Sequence, residues 1–126
     1  MKKILSFTLA LVLCLSLSAC GGNNVEKQAD SAPILNLQTY RDMREENEAK
    51  ADAEYDGNIY RYTGIITEVN STYCVAGTYE GSYEIDIYLE QDDLLKLNTG
   101  EMYTFAGVFE SEALVPNLND AILLDE

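Results

Sequence analysis

Few side chains in this sequence can do chemistry. It carries 3 cysteines and 22 Asp and Glu residues but no histidine. That removes the Cys–His and Ser–His pairings by which nucleophiles are commonly activated, and no nucleophile-elbow glycines flank a serine. Paired carboxylates can cleave a glycoside only when a cleft holds them at a defined separation, and no spacing here singles out a pair. The expectation is a protein that is not an enzyme and uses no cofactor. Asn117, Asn119 and Asp120 come nearest to an oxygen ligand set for calcium, with Asp92-Asp93 as a second acidic pair. Neither follows the alternating ligands, central glycine and terminal glutamate of an EF-hand loop. A turn with capped backbone groups explains the same residues, so no metal is expected.

The cysteines divide by position. Cys20 closes the run Leu17-Ser18-Ala19-Cys20, behind Lys2, Lys3 and an apolar stretch at residues 4–15 broken only by Ser6 and Thr8. The stretch is short for a membrane-spanning helix, and the positive start and small residues before Cys20 follow the layout of an export leader. The arrangement resembles a bacterial lipoprotein signal peptide with its lipobox. The resemblance implies that residues 1–19 are removed and that the Cys20 sulfur carries a diacylglycerol through a thioether. The remaining chain would then be extracytoplasmic and lipid-anchored to the outer leaflet of the cell membrane, with the membrane as its first partner. Cys14 leaves with the leader, so Cys74 has no disulfide partner within the domain. A lone cysteine in an apolar strand reads as a small core residue, a reactive thiol being the alternative.

Without the leader, 6 basic residues face 22 acidic ones, a net charge of −16. Nucleic acid is thus an unexpected partner, since binding it requires Lys and Arg to neutralise phosphates. An anionic bilayer would also repel the domain within a Debye length of about 8–10 Å. The acidity serves solubility or a cationic partner.

The elements that must position any site follow from periodicity. Residues 20–36 read as the lipidated cysteine and a flexible tether, polar at Gly21-Gly22-Asn23-Asn24 and punctuated by Ser31-Ala32-Pro33. A domain at 37–126 follows. Tyr40, Met43, Asn47, Ala51 and Tyr55 recur at helical spacing and predict one helix over 39–55. Thr39 and Asp42 form its capping-box start, Glu46–Lys50 an i,i+4 pair and Gly57 the stop. Asn47 would lie at the centre of its buried face. Strands follow at 58–69, 72–79, 82–90, 102–109 and 121–124, with a short helical turn at 91–97 carrying Leu94, Leu95 and Leu97. In the third strand Tyr83, Ile85, Ile87 and Leu89 alternate with Glu84, Asp86 and Tyr88. The apolar phase changes at Gly64, which predicts a bulge or bend there. Tyr60-x-Tyr62-x-Gly64-Ile65-Ile66 is echoed by Tyr103-x-Phe105-x-Gly107-Val108-Phe109. The predicted class is mainly β with one N-terminal helix, an OB-fold-like five-stranded barrel.

Asn47-x-x-Lys50-Ala51-Asp52-x-x-Tyr55-x-Gly57, followed by Thr63-Gly64-x-Ile66, resembles the bacterial tRNA-anti-like OB-fold family, over roughly residues 38–124. The resemblance implies a small extracytoplasmic OB-fold and brings no catalytic or ligand residues with it. Asp56 and Asn58 stand where the family commonly has basic residues. The chain also has 9 tyrosines. Tyr73, Tyr83 and Tyr88 fall on the second and third strands, the surface with which OB-folds bind oligonucleotides and oligosaccharides. They are the candidate ligand contacts, half-buried barrel positions being the alternative reading. The expected function is a binding module for a peptide, protein or glycan. The alternative is an accessory envelope lipoprotein that positions a partner complex.

Overall fold

The computed structural model describes residues 23–78, 83–111 and 115–124. The leader, Cys20, Tyr79 and the Glu80-Gly81 turn lie outside the described residues. In order, the elements are α1 (Asn23–Gln28), a 3-10 turn (Ala29–Ser31), α2 (Leu37–Glu46), α3 (Glu48–Tyr55), β1 (Ile59–Val69), β2 (Tyr73–Gly77), β3 (Glu84–Tyr88), α4 (Gln91–Leu94), β4 (Met102–Glu110) and β5 (Asn117–Leu124).

The strands close into a barrel in the order β1-β2-β3-β5-β4. All pairs are antiparallel except β3–β5, which is parallel over Asp86↔Asn117 and Ile87↔Leu118. A closed five-stranded barrel with a helix between its third and fourth strands is the OB-fold arrangement, as the sequence predicts. Alternate side chains fill the interior: Tyr62 and Ile66 from β1, Cys74 and Ala76 from β2, Ile85 and Ile87 from β3, Phe105 and Phe109 from β4, and Leu118 from β5.

The two echoed segments pair with each other. Tyr60 lies opposite Gly107, and Gly64 opposite Tyr103, so each glycine faces the other repeat's tyrosine. The expected bend at Gly64 is corrected: Tyr62, Gly64 and Ile66 keep one inward phase, and the register shift falls between Ile66 and Glu68. Gly64 is small because of crowding. A Cβ there would sit 2.6 Å from Tyr62 Cε2 and 2.9 Å from the Gly77 carbonyl oxygen.

The single helix expected over 39–55 is two. Asn47 is exposed and extended (φ −159°, ψ 97°), and its side chain accepts from Lys50 N–H, capping α3. Asn36 does the same for α2 through Thr39 N–H at 3.0 Å. Asparagine's amide oxygen satisfies helix-start N–H groups better than it tolerates burial, which is why it breaks the helix. The charged pair across the break is Arg44–Glu48 at 2.8 Å. Tyr40 and Tyr55 from these helices meet Tyr60 and Phe109 at one end of the barrel, with ring centroids 4.8–6.0 Å apart.

Within the segment expected as tether, α1 and the 3-10 turn are structured and packed on the barrel. Val25 is 1% exposed and packs with Ala29 on Ala106, against Ile59, Val108, Ile122 and Leu124. Pro33 and Leu35 then bracket Arg61: Arg61 N–H donates to the Pro33 carbonyl, and Leu35 N–H to the Arg61 carbonyl. Three small or branched apolar residues (Val25, Ala29 and Ala32) are enough to seat the segment on strands whose outer positions are themselves apolar. Near α4, Leu94 and Leu97 are buried as expected, but Leu95 is 76% exposed.

Candidate surface on β2 and β3

Because β2 and β3 pair with Cys74 opposite Ile87 and Ala76 opposite Ile85 inside, the intervening residues face outward. Tyr73 stands directly across from Tyr88, with ring centroids 5.2 Å apart and planes at 32°. Tyr88 is 37% exposed. Such cross-strand aromatic pairs stabilise a sheet by about 0.2–1 kcal/mol, far less than a buried core aromatic. One row on, Glu68, Val75, Asp86 and Asn117 line up across β1, β2, β3 and β5, and Glu84 lies in the row beyond.

The charges in these rows are of one sign. Burial pushes the Asp86 carboxyl above its ordinary value, and Glu84 and Glu68 push it further. The Tyr73 phenol is raised in the same way, first by desolvation and then by Asp86, Glu68 and Tyr88. Asn70 donates to Glu68 at 2.8 Å and fixes one carboxylate.

Past Ile87 and Leu118 the β3–β5 pairing ends. A groove of about 600 Å³ lies there, lined by Tyr88, Glu90, Asp93, Asp120 and Glu26 among others. Tyr88 belongs to both the ring pair and the groove, so the two form one continuous surface. Asp93 accepts from Leu123 N–H at 3.4 Å. Asp120 has φ 50°, in the left-handed region that Asp tolerates better than most residues. It marks a bulge in β5 opposite Gly107, where the β4–β5 register shifts. A Cβ on Gly107 would lie 2.9 Å from Ala121 Cβ, so the bulge needs glycine there. The bulge carries the inward phase from Leu118 to Ala121 and turns Asp120 out into the groove.

The structure brings together two of the three candidate tyrosines. Tyr83 shares the phase of Ile85, packs on the core and lies under Arg41, whose guanidinium carbon is 5.3 Å from the ring centroid. Asn117, Asn119 and Asp120, expected in a loop, lie in β5. The Asn119 amide donates to Glu110 and Asp120 lines the groove, so they do not converge on a point. Among the described residues, no group of three or more Cys, Asp and Glu side chains is placed to hold a metal ion. Cys74 is fully buried, and desolvation pushes its thiol up to about 12. It is therefore a neutral core residue at physiological pH. Sequence reasoning missed Glu68, Glu90 and Glu26 as parts of this surface. The alternation in β3 had already set Glu84, Asp86 and Tyr88 on one face, but it says nothing of the residues that other elements bring to it.

The fold and this surface define an OB-fold barrel with an aromatic, acidic outer face. A solved structure from Klebsiella pneumoniae subsp. pneumoniae MGH 78578, named as a "putative nucleic acid-binding lipoprotein", is similar to the chain, with TM-score 0.65 and 14% identity over 79% of this chain and 97% of that one. The hypothetical protein YgiW from E. coli aligns with TM-score 0.47 and 10% identity over 75% of this chain and 92% of its own. No family model and no curated protein matches the chain. The Klebsiella likeness bears out the fold that the tRNA-anti-like resemblance implies, and it extends to the fold alone.

Proposed function

We propose that this chain is a lipid-anchored, extracytoplasmic binding module, non-catalytic, that engages a peptide, protein or glycan through the outer face of β2 and β3. The observation that carries the reading is the Tyr73–Tyr88 pair: two large rings packed against each other on the outside of a barrel whose core is complete without them. Exposed aromatic rings beside a groove are the usual means by which a small β-domain holds a ligand.

The anchor is Cys20. Its lipobox setting and the word lipoprotein in the Klebsiella protein's name both support this. With α1 packed from Asn23 onward, the leash between Cys20 and the barrel spans at most about 11 Å. That is no more than about one Debye length, so the anchor would hold the acidic domain within reach of the repulsion from an anionic bilayer. Cys20→Ser is expected to leave the chain unprocessed or released; in a detergent partition assay, a normally processed, membrane-bound variant would end this part of the reading.

Nucleic-acid binding is named for the Klebsiella protein. On this chain, phosphates brought to the same face would meet Glu68, Glu84 and Asp86, so we read the ligand as another class. The ligand surface is tested by Tyr73→Ala and Tyr88→Ala in a cross-linking pull-down from intact cells. Loss of specific captured species is expected; an unchanged profile would remove this surface from consideration.

A further inference from the structure

We propose that the occupant of this surface is a polypeptide segment bearing lysine or arginine side chains, with its cationic heads over the Tyr73 and Tyr88 rings and against Glu68, Glu84 and Asp86. The inference rests on the binding reading above and names the ligand class for that same face.

Outside the leader the basic residues are Lys27, Arg41, Arg44, Lys50, Arg61 and Lys96. Arg44 pairs with Glu48 at 2.8 Å, and Lys96 with Asp93 at 3.4 Å. Arg41 lies over Tyr83, and Arg61 Nε donates to the Ala32 carbonyl at 3.0 Å. Lys27 is on α1 and Lys50 on α3. None lies on β2 or β3, and among the described residues no ion pair reaches Glu68, Glu84 or Asp86. The face is complementary to positive charge arriving from outside.

Asp86 sits in an electrostatically unfavourable place. It is partly desolvated and set between like charges, the arrangement that disfavours an ionised carboxylate. A residue that costs stability where a ligand would dock is the expected mark of function. A ligand cation relieves the repulsion.

Tyrosine faces attract ammonium and guanidinium groups within about 6 Å of the ring centroid, and Arg41 over Tyr83 at 5.3 Å shows the same contact inside this molecule. From Tyr88 the surface runs on into the groove past Glu90 and Asp120, Asp93 there being held by Lys96. An extended chain crossing the pair would thus keep meeting carboxylates.

The test is fluorescence anisotropy on the full chain in neutral detergent micelles. Three probes are used: a labelled peptide of alternating lysine and glycine, its glutamate counterpart, and a neutral β-1,4-linked N-acetylglucosamine oligomer. The lysine peptide is expected to bind and to weaken with added salt. The double variant Glu84→Gln/Asp86→Asn should weaken it about threefold to tenfold, and Tyr88→Ala about tenfold. The remote pair Glu45→Gln/Glu46→Gln on α2 should leave it unchanged, with circular dichroism confirming the fold of each variant. Absence of lysine-peptide binding overturns the inference, and so does equal weakening by the remote pair, which would make the attraction one of bulk charge. Glycan binding that is lost in Tyr88→Ala but indifferent to Glu84→Gln/Asp86→Asn overturns the cationic ligand while keeping the binding surface. Binding of any probe that ignores both tyrosines removes the surface as well.

Discussion

Two aromatic clusters built from the same residue type do opposite things in this barrel. Tyr40, Tyr55, Tyr60 and Phe109 interlock at the helix-capped end, with Tyr40 and Phe109 essentially without exposure. Tyr73 and Tyr88 pack against each other at a tilt on the outside, over a barrel interior already filled by Cys74, Ile85 and Ile87. The first cluster is explained by burial, since each ring removes a large apolar area from water. The second is not, because a half-exposed ring pair contributes little to the fold. An aromatic group that stability does not require is the better candidate for a ligand contact.

The comparison can be broken most forcefully by truncating one ring on each side. Tyr40→Ala should cost about 3–5 kcal/mol of stability in urea denaturation. Tyr88→Ala should cost no more than about 1 kcal/mol while abolishing capture of the ligand. Equal stability losses would mean that the outer pair is structural. Gly64→Ala comes next. Its Cβ has no room beside the Tyr62 ring, and overpacking of this kind costs about 1–3 kcal/mol, read as a lowered thermal midpoint.

Alkaline titration tests the interior in another way. Burial pushes the Cys74 thiol from 9.0 and the Tyr62 phenol from 10.0, both to about 12. Above about pH 9 the unfolded chain releases these protons while the folded one holds them. The stability they contribute is complete below that pH and is lost as the pH rises toward about 12. Tyr62→Phe should remove the tyrosine's share of this slope. The smallest effect is expected at Asp86→Asn, which should raise stability by about 0.5 kcal/mol by removing a crowded charge. A stability loss there would undo the argument that Asp86 is kept for a ligand.

Much of the barrel was legible in the sequence, because alternation in β3 and the paired glycine motifs in β1 and β4 depend on local phase alone. The same alternation already grouped Tyr83 with Ile85, and the structure packs it, half-buried, against the core accordingly. Four features were not legible. Asn47 occupies a helical-phase position, and only its capping geometry shows that it ends one helix and starts another. Val25 and Ala29 look like minor residues in a polar stretch until the apolar outer positions of Ala106 and Val108 give them a seat. The bulge at Asp120 hides in a three-residue step between Leu118 and Ala121, which reads as a loop when the partner strand is unknown. The opposition of Tyr73 and Tyr88 likewise needed the β2–β3 register, which no single strand contains.

The most direct measurement is site-specific photo-cross-linking in intact cells, with the photoreactive residue at Val75, beside the ring pair, and a control at Glu45 on α2. The account predicts discrete adducts at position 75 that vanish when Tyr88→Ala is introduced, and none of these adducts at position 45. Adducts that persist in Tyr88→Ala, or that form equally from position 45, would contradict the claim that the outer face of β2 and β3 is where this protein binds.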